Sequence, residues 1–490
     1  MAAEFENNIL IVKNPVDNSE LSRFTITDET SFSSIASKCE SYDKWASLPV
    51  KKRCFYITLL RKAIVKNQSE LEKILKNETG KKNFDVFLEI FTVLEHLKQM
   101  PKIAKKALKP SFRNAGIMKS KKAYVLYEPL GVCGVISPWN YPLATPVGSA
   151  VQALLSGNNV ILKPSEHTPL SSLFIKKLWD EYVGFSDAFN VVLGGGEVGK
   201  MIVDSDKVDA ICFTGSTKIG KLIAKQCAED LKPVILELGG KDPLVVLKDA
   251  DKQRVVEAIL FGGLSNAGQT CISVEEVYIE GDVFDFYVEK LSNRIKKMSS
   301  GDSSAMDLGS MIMKENCMKV KEHIDEIEDR GSVVCGKGIS NEMFIAPTLI
   351  IDPPDSARVV NEETFGPVIS LRKFTNEKDL VKMIHKTGYG LAGSIFGKNK
   401  KRIQRILRQL KIGNISINDV ITHYGIASLP FGGERLSGSG RLHGKEGLRS
   451  LCRTKSVVEN RFSFLSDPWW YSRNKNIEKI LKKVSKILYK

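Results

Sequence analysis

The 490-residue chain has no CxxC pair and no regular cysteine spacing, although it carries nine cysteines. An odd, irregular set argues for reduced thiols and against a disulfide framework, and most of them should be small buried hydrophobes. No metal site is expected. No apolar run reaches the roughly 18 residues that a membrane-spanning helix needs. The opening MAAEFENNILIV lacks the positive-then-apolar order of a signal peptide, so a cytoplasmic protein is expected. Low-complexity linkers and internal repeats are missing too. Aromatic residues nowhere alternate with basic ones as in a nucleic-acid module, so nucleic acid is not an expected partner despite a formal net charge of +15.

What is present reads as an ordinary globular protein of two or three domains, 42% hydrophobic and 26% charged. Residues 30–110 carry apolar positions at helical spacing, as in Leu59-Leu60-Arg61-Lys62-Ala63-Ile64-Val65. The short β-type runs Tyr124–Tyr127 and Gly131–Ile136, split by Glu128-Pro129, suggest a hairpin or an edge pair. Strands then alternate with helices: Asn159–Leu162, a helix from Thr168, Phe189–Leu193, a helix from Glu197, and Ala210–Phe213. This rhythm implies an α/β fold with a parallel, doubly wound sheet. A second alternating stretch, from Pro233 to about Ile417, reads as a second α/β domain.

Two glycine turns compete for a dinucleotide. Gly194-Gly195-Gly196-Glu197-Val198-Gly199 fits the spacing GxGxxG, but no acid-ended strand follows about twenty residues later, and a plain tight turn explains it as well. Phe213-Thr214-Gly215-Ser216-Thr217 also joins a strand to a helix, and its backbone donors with Ser216 could meet a pyrophosphate at the positive helix end. Cys271 follows the small residues Asn266-Ala267-Gly268, an approach that leaves a thiol open to attack a carbonyl; the other eight cysteines read as inert. Glu237 ends the apolar run Val234-Ile235-Leu236 before Gly239-Gly240. A carboxylate there is placed like a general base, the plain alternative being a surface acid.

Taken in order, Pro138-Trp139-Asn140-Tyr141-Pro142, Lys163-Pro164-Ser165-Glu166, Phe213–Thr217, Glu237-Leu238-Gly239-Gly240-Lys241, Gly268-Gln269-Thr270-Cys271 and Glu363-Thr364-Phe365-Gly366-Pro367 resemble the motifs of the aldehyde dehydrogenase superfamily over about residues 5–465. Tyr389–Ala392, Pro430–Gly433 and Ser437-Gly438 extend the likeness. The resemblance implies a Rossmann-like cofactor domain (1–119 and 136–238), a catalytic domain (239–440), a small bridging oligomerisation sheet (120–135 and 441–465) and a tail (466–490). It implies that Cys271 attacks the aldehyde and that Asn140 and the Cys271 N–H hold the oxyanion. Hydride would leave to NAD, with NADP as an alternative, and Glu237 would activate the water that releases the acid. It places Lys163, Ser165 and Glu166 at the adenosine ribose, Gly215 and Ser216 at the pyrophosphate, Glu363 at the nicotinamide ribose, and Trp139 and Phe365 around the nicotinamide. Gly194–Gly199 becomes a structural turn. Two departures stand out: Glu275-Glu276 replaces the commoner Glu-Arg, so a local ion pair is expected to be missing, and Asp242 replaces Ser or Asn.

Rival readings are a coenzyme A-acylating enzyme, which Glu237 speaks against, a non-enzymatic binding or scaffold protein, and a semialdehyde or sugar-phosphate aldehyde enzyme. The resemblance also implies a homodimer or homotetramer, and pairing of a late strand, Thr454–Glu459, across subunits would cover its edge. Beyond the resemblance, Ile477, Ile480, Leu481, Val484, Ile487 and Leu488 form one apolar stripe, with Lys479, Lys482, Lys483, Lys486 and Lys490 mainly on other faces and Trp469-Trp470-Tyr471 just before. This tail is expected to hold the enzyme peripherally on anionic membrane and to bias it toward hydrophobic or long-chain aldehydes. The alternative is that the stripe packs on the enzyme's own surface or on a partner subunit.

Overall fold

A computed structural model describes residues 2–328, 332–338, 342–462, 467, 469–471 and 476–489. Residues 463–465 of the expected bridging sheet, and 466, 468, 472–475 and Lys490 of the expected tail, lie outside the described residues. The chain forms two units, residues 1–108 with 128–453, and residues 109–127 with 454–490.

The first unit is α/β and is built on two sheets. One runs in the spatial order Gly438–Ser439, Val234–Glu237, Ala210–Thr214, Val132–Ile136, Asn159–Lys163, Phe189–Val191, and all neighbours are parallel except the first pair. From Val132–Ile136 the chain winds outward one way, then returns to its other side at Ala210–Thr214. The carboxyl ends of these two strands therefore flank a topological switch point, where such sheets open a crevice for ligands. The second sheet runs Val333–Cys335, Thr348–Ile351, Val368–Phe374, Val274–Glu280, Asp242–Val246, Ala392–Phe396, Asn414–Ile417, parallel apart from Val333–Cys335. Its inner strand Asp242–Val246 is buried throughout, as parallel strands covered on both faces must be. An N-terminal antiparallel meander, Ala3–Glu6, Ile9–Lys13 and Glu20–Thr25, was not foreseen.

The hairpin expected near residues 120–135 does not form. All five residues of Val132–Ile136 are buried, and the strand lies between Asn159–Lys163 and Ala210–Thr214 in the first large sheet. Its unbroken run of small and apolar residues is the signature of a strand covered on both faces, not of a half-exposed hairpin arm. Likewise Gly444–Ser450, expected in the bridging sheet, is a helix of the first unit.

The second unit holds a three-stranded sheet in the order Cys452–Asn460, Lys121–Pro129, Ser111–Arg113. Lys121 pairs with Asp467 at 2.6 Å and stands 5.7 Å from the Trp469 ring centre. The helix Ile477–Leu488 buries none of its residues. Among the described residues no helix is long and apolar enough to cross a membrane.

Candidate active site

Local sequence sets one wall of the site at the carboxyl edge of the first large sheet. Trp139 and Asn140 follow the strand Val132–Ile136, Lys163 ends the next strand, Gly215 and Ser216 follow Ala210–Thr214, and Glu237 ends Val234–Glu237. The opposite wall comes from the amino edge of the second sheet, where Cys271 precedes Val274–Glu280 and Glu363 and Phe365 precede the adjacent strand Val368–Phe374. Between them opens a cavity of about 680 Å³ that Trp139, Asn140, Gly215, Ser216, Glu237, Cys271, Glu363 and Phe365 all line. Lys163, Ser165 and Glu166 do not line this cavity. They stand beside it, Lys163 and Ser165 buried, with Lys163 Nζ 3.3 Å from Glu166 Oε2.

The cysteine is presented by a strained turn. Asn266 and Ala267 both have φ of 53° and Gly268 has 72°, three consecutive left-handed residues. Each non-glycine residue of this kind costs roughly 1–2 kcal/mol, so other contacts must hold the turn. Asn266 Nδ2 donates to Asn140 O at 3.0 Å and to Gln269 O at 3.1 Å, and Gln269 itself is tied to Ser310 O and the Ile312 amide. At Gly268 a Cβ would collide with the Gly366 carbonyl, so no other residue fits. Asn140 Nδ2 donates to Gln269 O at 2.9 Å, which fixes its amide plane within the cavity wall.

Cys271 is half-buried, and desolvation together with the nearby Asp242, Glu363 and Glu237 pushes its thiol pKa up; the Ile272 amide opposes this. Burial also raises Glu237 well above the carboxylate range, against the pull of Arg441, and neither carboxylate oxygen has a hydrogen-bond partner. Burial thus favours the neutral form of Glu237. Glu363 accepts from Gly240 N at 2.9 Å, and burial and Glu275 lift its pKa to about 7.

A dinucleotide fits these residues. Ser216 caps the helix Thr217–Glu229, accepting from the Ile219 amide at 3.4 Å, so the positive end of that helix faces the cavity beside Gly215. The Trp139 and Phe365 rings meet edge to face with centres 5.5 Å apart and together form one aromatic corner of the cavity wall, against which a planar ring could lie. By contrast, the Gly195 amide of the other glycine turn is already satisfied by Glu197 Oε1 at 2.8 Å.

Several residues that build the site have no local sequence signal. Glu275 accepts from the Thr364 amide at 2.8 Å, the Phe365 amide at 3.0 Å and Lys241 Nζ, and so anchors the Glu363–Phe365 loop. With Glu in place of Arg at 276, Glu276 instead stands 3.9 Å from Arg372 on the neighbouring strand. Asp242 takes the Ala392 amide at 3.0 Å. Glu89 accepts from the Leu143 and Ala144 amides at 2.9 and 3.0 Å and pairs with Lys81, fixing the start of the helix behind Asn140. Away from the cofactor wall, Tyr141, Thr145, Ile272, Ile421, Tyr424, Phe431 and His443 line the remaining arm. Ile421 holds φ of 63°, an outlier for a β-branched residue and one more sign of strain stored at this site.

Comparison with known proteins agrees with this geometry. Residues 3–457 match the aldehyde dehydrogenase family. The chain is 33% identical over 430 residues to the 4,4'-diapolycopene aldehyde oxidase of a Methylomonas species, covering 87% of this chain and 81% of that one. It is 34% identical over 418 residues to an NADP(+) succinate-semialdehyde dehydrogenase of Escherichia coli, covering 84% and 86%. The NAD+ complex of a Bacillus cereus aldehyde dehydrogenase superposes with a TM-score of 0.87 at 29% identity, over 92% of this chain and 93% of that one. A near-full-length family match, relatives above 30% identity and a shared fold with a cysteine-centred cavity lead to one conclusion: the chain belongs to the aldehyde dehydrogenase family and is an NAD(P)-dependent enzyme that oxidises an aldehyde.

Proposed function

We propose that this enzyme oxidises a neutral, hydrophobic aldehyde to its carboxylic acid, with Cys271 as nucleophile. The observation that carries the substrate class is electrostatic. Among the described residues lining the cavity the one cation is Lys319, and it donates to the Glu363 backbone carbonyl on the cofactor side. The remaining arm presents Asp85 and Glu89 among largely apolar side chains. A semialdehyde would bring its own carboxylate into a wall with no guanidinium or ammonium to receive it, and burying an unpaired charge is strongly unfavourable.

The chemistry follows from the side chains. Cys271 Sγ bonds to the aldehyde carbon, and its proton leaves to water. The oxygen becomes an alkoxide facing the Asn140 amide, whose Nδ2 keeps a second hydrogen beyond the one given to Gln269, and facing the Cys271 N–H. Each well-placed donor contributes about 3–4 kcal/mol. NAD held beside Trp139 and Phe365 would supply the hydride acceptor. Collapse of the alkoxide then leaves a thioester on Cys271. Glu237, once ionised, takes a proton from the water that attacks this thioester; the acid leaves and the thiol is restored. Water needs such a base more than an incoming thiol does, which favours hydrolysis over transfer to coenzyme A.

The finer assignments rest on the same ground. Lys163, Ser165 and Glu166 hold the adenosine ribose, Gly215 and Ser216 the pyrophosphate and Glu363 the second ribose. The cofactor domain, expected over 1–119 and 136–238, loses 109–119 to the second unit and gains Val132–Ile136, and the catalytic domain takes 239–440. A homodimer or homotetramer is supported by the nine-residue strand Cys452–Asn460, which has a neighbour on one side only among the described residues. Peripheral association with anionic membrane is supported by the exposed apolar stripe of Ile480, Leu481, Ile487 and Leu488, by Lys479, Lys482, Lys483 and Lys486 on the same helix, and by exposed Trp469, Trp470 and Tyr471.

The test is a panel of n-alkanals from short to long chain, with succinate semialdehyde and glutarate semialdehyde beside them, each with NAD and with NADP. Catalytic efficiency should rise with chain length and be lowest for the anionic substrates; a preference for either semialdehyde overturns the substrate class. Co-sedimentation of the full chain and of a truncation after Asp467 with phosphatidylserine vesicles tests the tail, and equal binding by both removes it as the anchor.

A further inference from the structure

The substrate arm contains a polar group that the proposed chemistry leaves unused. His443 is 2% exposed, lines the cavity, and adopts φ 58° with ψ 172°, a backbone region that is nearly glycine-only. The surroundings over-determine that conformation. Its amide donates to the Oε1 of buried Gln152 at 2.6 Å, and its ring packs edge-on against His96 at 4.5 Å and Tyr424 at 5.0 Å. His96 is in turn held to the Tyr424 carbonyl through Nε2 at 3.0 Å. Strain of this kind persists only where several contacts enforce it, and here they enforce the direction of one imidazole.

Burial, and then the neighbouring His96, keep the His443 pKa well below its ordinary value, so the ring is neutral and carries one N–H. Nδ1 is buried without a hydrogen-bond partner. A lone pair left unpaired costs less than an unpaired N–H, so the proton belongs on Nε2. Nε2 makes no hydrogen bond among the described residues, belongs to a side chain that lines the cavity, and stands 4.0 Å from where a Cβ on Gly148 would lie. A buried donor on a cavity wall with no protein acceptor is built for an acceptor that arrives with a ligand.

We propose that His443 Nε2–H is a recognition donor for an uncharged oxygen, a hydroxyl, ether or carbonyl, carried on the chain of the aldehyde substrate. This rests on the reading of the arm as the aldehyde channel and narrows it: the substrate is apolar but singly oxygenated at a position away from the reacting carbonyl. The aromatic rings of Tyr424 and Phe431 supply the apolar lining beside that donor.

The test uses matched pairs, n-alkanals against hydroxy- and oxo-alkanals of equal length with the oxygen moved stepwise along the chain, on the full-length enzyme with NAD. Wild type should show one position at which the oxygenated member has the higher kcat/KM, by roughly three- to tenfold, the range one net hydrogen bond supplies. Two variants should each bring that ratio to about one. His443→Gly removes the donor and suits the positive φ. Gly148→Ala, interior to the helix Ala144–Ser156, places a methyl before Nε2 and has no other neighbour to strain, so it keeps the test alive if the first variant does not fold. A wild-type ratio of one at every position, or a preference that survives in Gly148→Ala, overturns the proposal. Failure to oxidise either member of any pair instead overturns the underlying reading of an apolar aldehyde enzyme.

Discussion

The two arms of the cavity are built by opposite means. The cofactor arm gathers short contiguous segments, residues 139–140, 163–166, 214–217 and 237–241, at the carboxyl edge of one parallel sheet. Each segment is a strand end followed by a turn, so its position is fixed by the strand it terminates. The substrate arm gathers Asp85 from the helix Asn83–Ala107, Ile421 and Tyr424 from a loop after Asn414–Ile417, and His443 from just before Gly444–Ser450. No sheet register ties these together. They are held by packing between helices and by strained backbone at Ile421 and His443. The lesson is that reaction chemistry can sit on robust local geometry, while substrate choice sits on long-range packing that a few substitutions can redraw.

The sharpest way to break the comparison is to remove the nucleophile. Cys271→Ala should lower cofactor reduction by at least about a thousandfold and leave dinucleotide affinity within twofold, because the adenosine-ribose and pyrophosphate contacts lie on the other wall and the Glu363 contact to the second ribose does not use the thiol. Retention of a tenth of wild-type turnover in that variant, measured under saturating NAD, means that the thiol is not the nucleophile.

Next in size is Glu237→Gln. A base that serves only thioester hydrolysis should be worth about 10²–10⁴-fold in steady-state turnover, with the initial burst of reduced cofactor intact. The raised pKa of Glu237 gives the pH dependence a sign. Its active form is the ionised one, so wild-type steady-state turnover should climb as pH rises through that raised pKa, and the Gln variant should lose this limb. Burst and steady state falling together would instead assign Glu237 to the first half-reaction.

Glu275→Gln tests the join between the two walls. It leaves Lys241 buried without its counter-charge and weakens the grip on the Thr364 and Phe365 amides. Breaking a buried pair from one side costs about 3–5 kcal/mol, which should appear as a clearly lower urea midpoint for the first unit and weaker NAD binding. An unchanged midpoint would show that Lys241 finds another partner, Thr364 Oγ1 at 3.4 Å being nearest.

The sequence carried the cofactor arm well because its words are local: Glu237 before a glycine pair, Ser216 as a helix cap, Cys271 after small residues. It failed where burial on both faces had to be inferred. Val132–Ile136 reads as a hairpin arm beside Tyr124–Tyr127 unless its five-residue apolar run is given more weight than the nearby proline. It also failed where a partner comes from another strand: Arg372 supplies the cation near Glu276 through sheet pairing of Glu276 with Ser370, which no spacing along the chain announces. His443 gave no signal, since one histidine beside a glycine is unremarkable until its φ and its neighbours are known.

The smallest expected effect concerns which dinucleotide the cofactor arm prefers. Burial alone would raise the Glu166 pKa, but the charge of Lys163 3.3 Å away, together with hydrogen bonds, outweighs it and leaves the carboxyl below its ordinary value. Glu166 is therefore ionised at neutral pH, suited to accept from a ribose 2′-hydroxyl and to repel a 2′-phosphate. Lys163 partly cancels that repulsion, so NAD should be favoured only moderately. Replacing Glu166 by Gln keeps the size of the side chain, removes the repulsion and frees the Lys163 ammonium for a phosphate. Each change favours NADP, and at a partly solvated site their sum is worth about tenfold in relative kcat/KM. The ratio of efficiencies with NADP and NAD should thus rise by about that factor in Glu166→Gln, through KM for NADP and not through kcat. A ratio that stays fixed, or wild-type efficiency already higher with NADP, would move the ribose away from Glu166 and leave Lys163 and Ser165 to bind it alone.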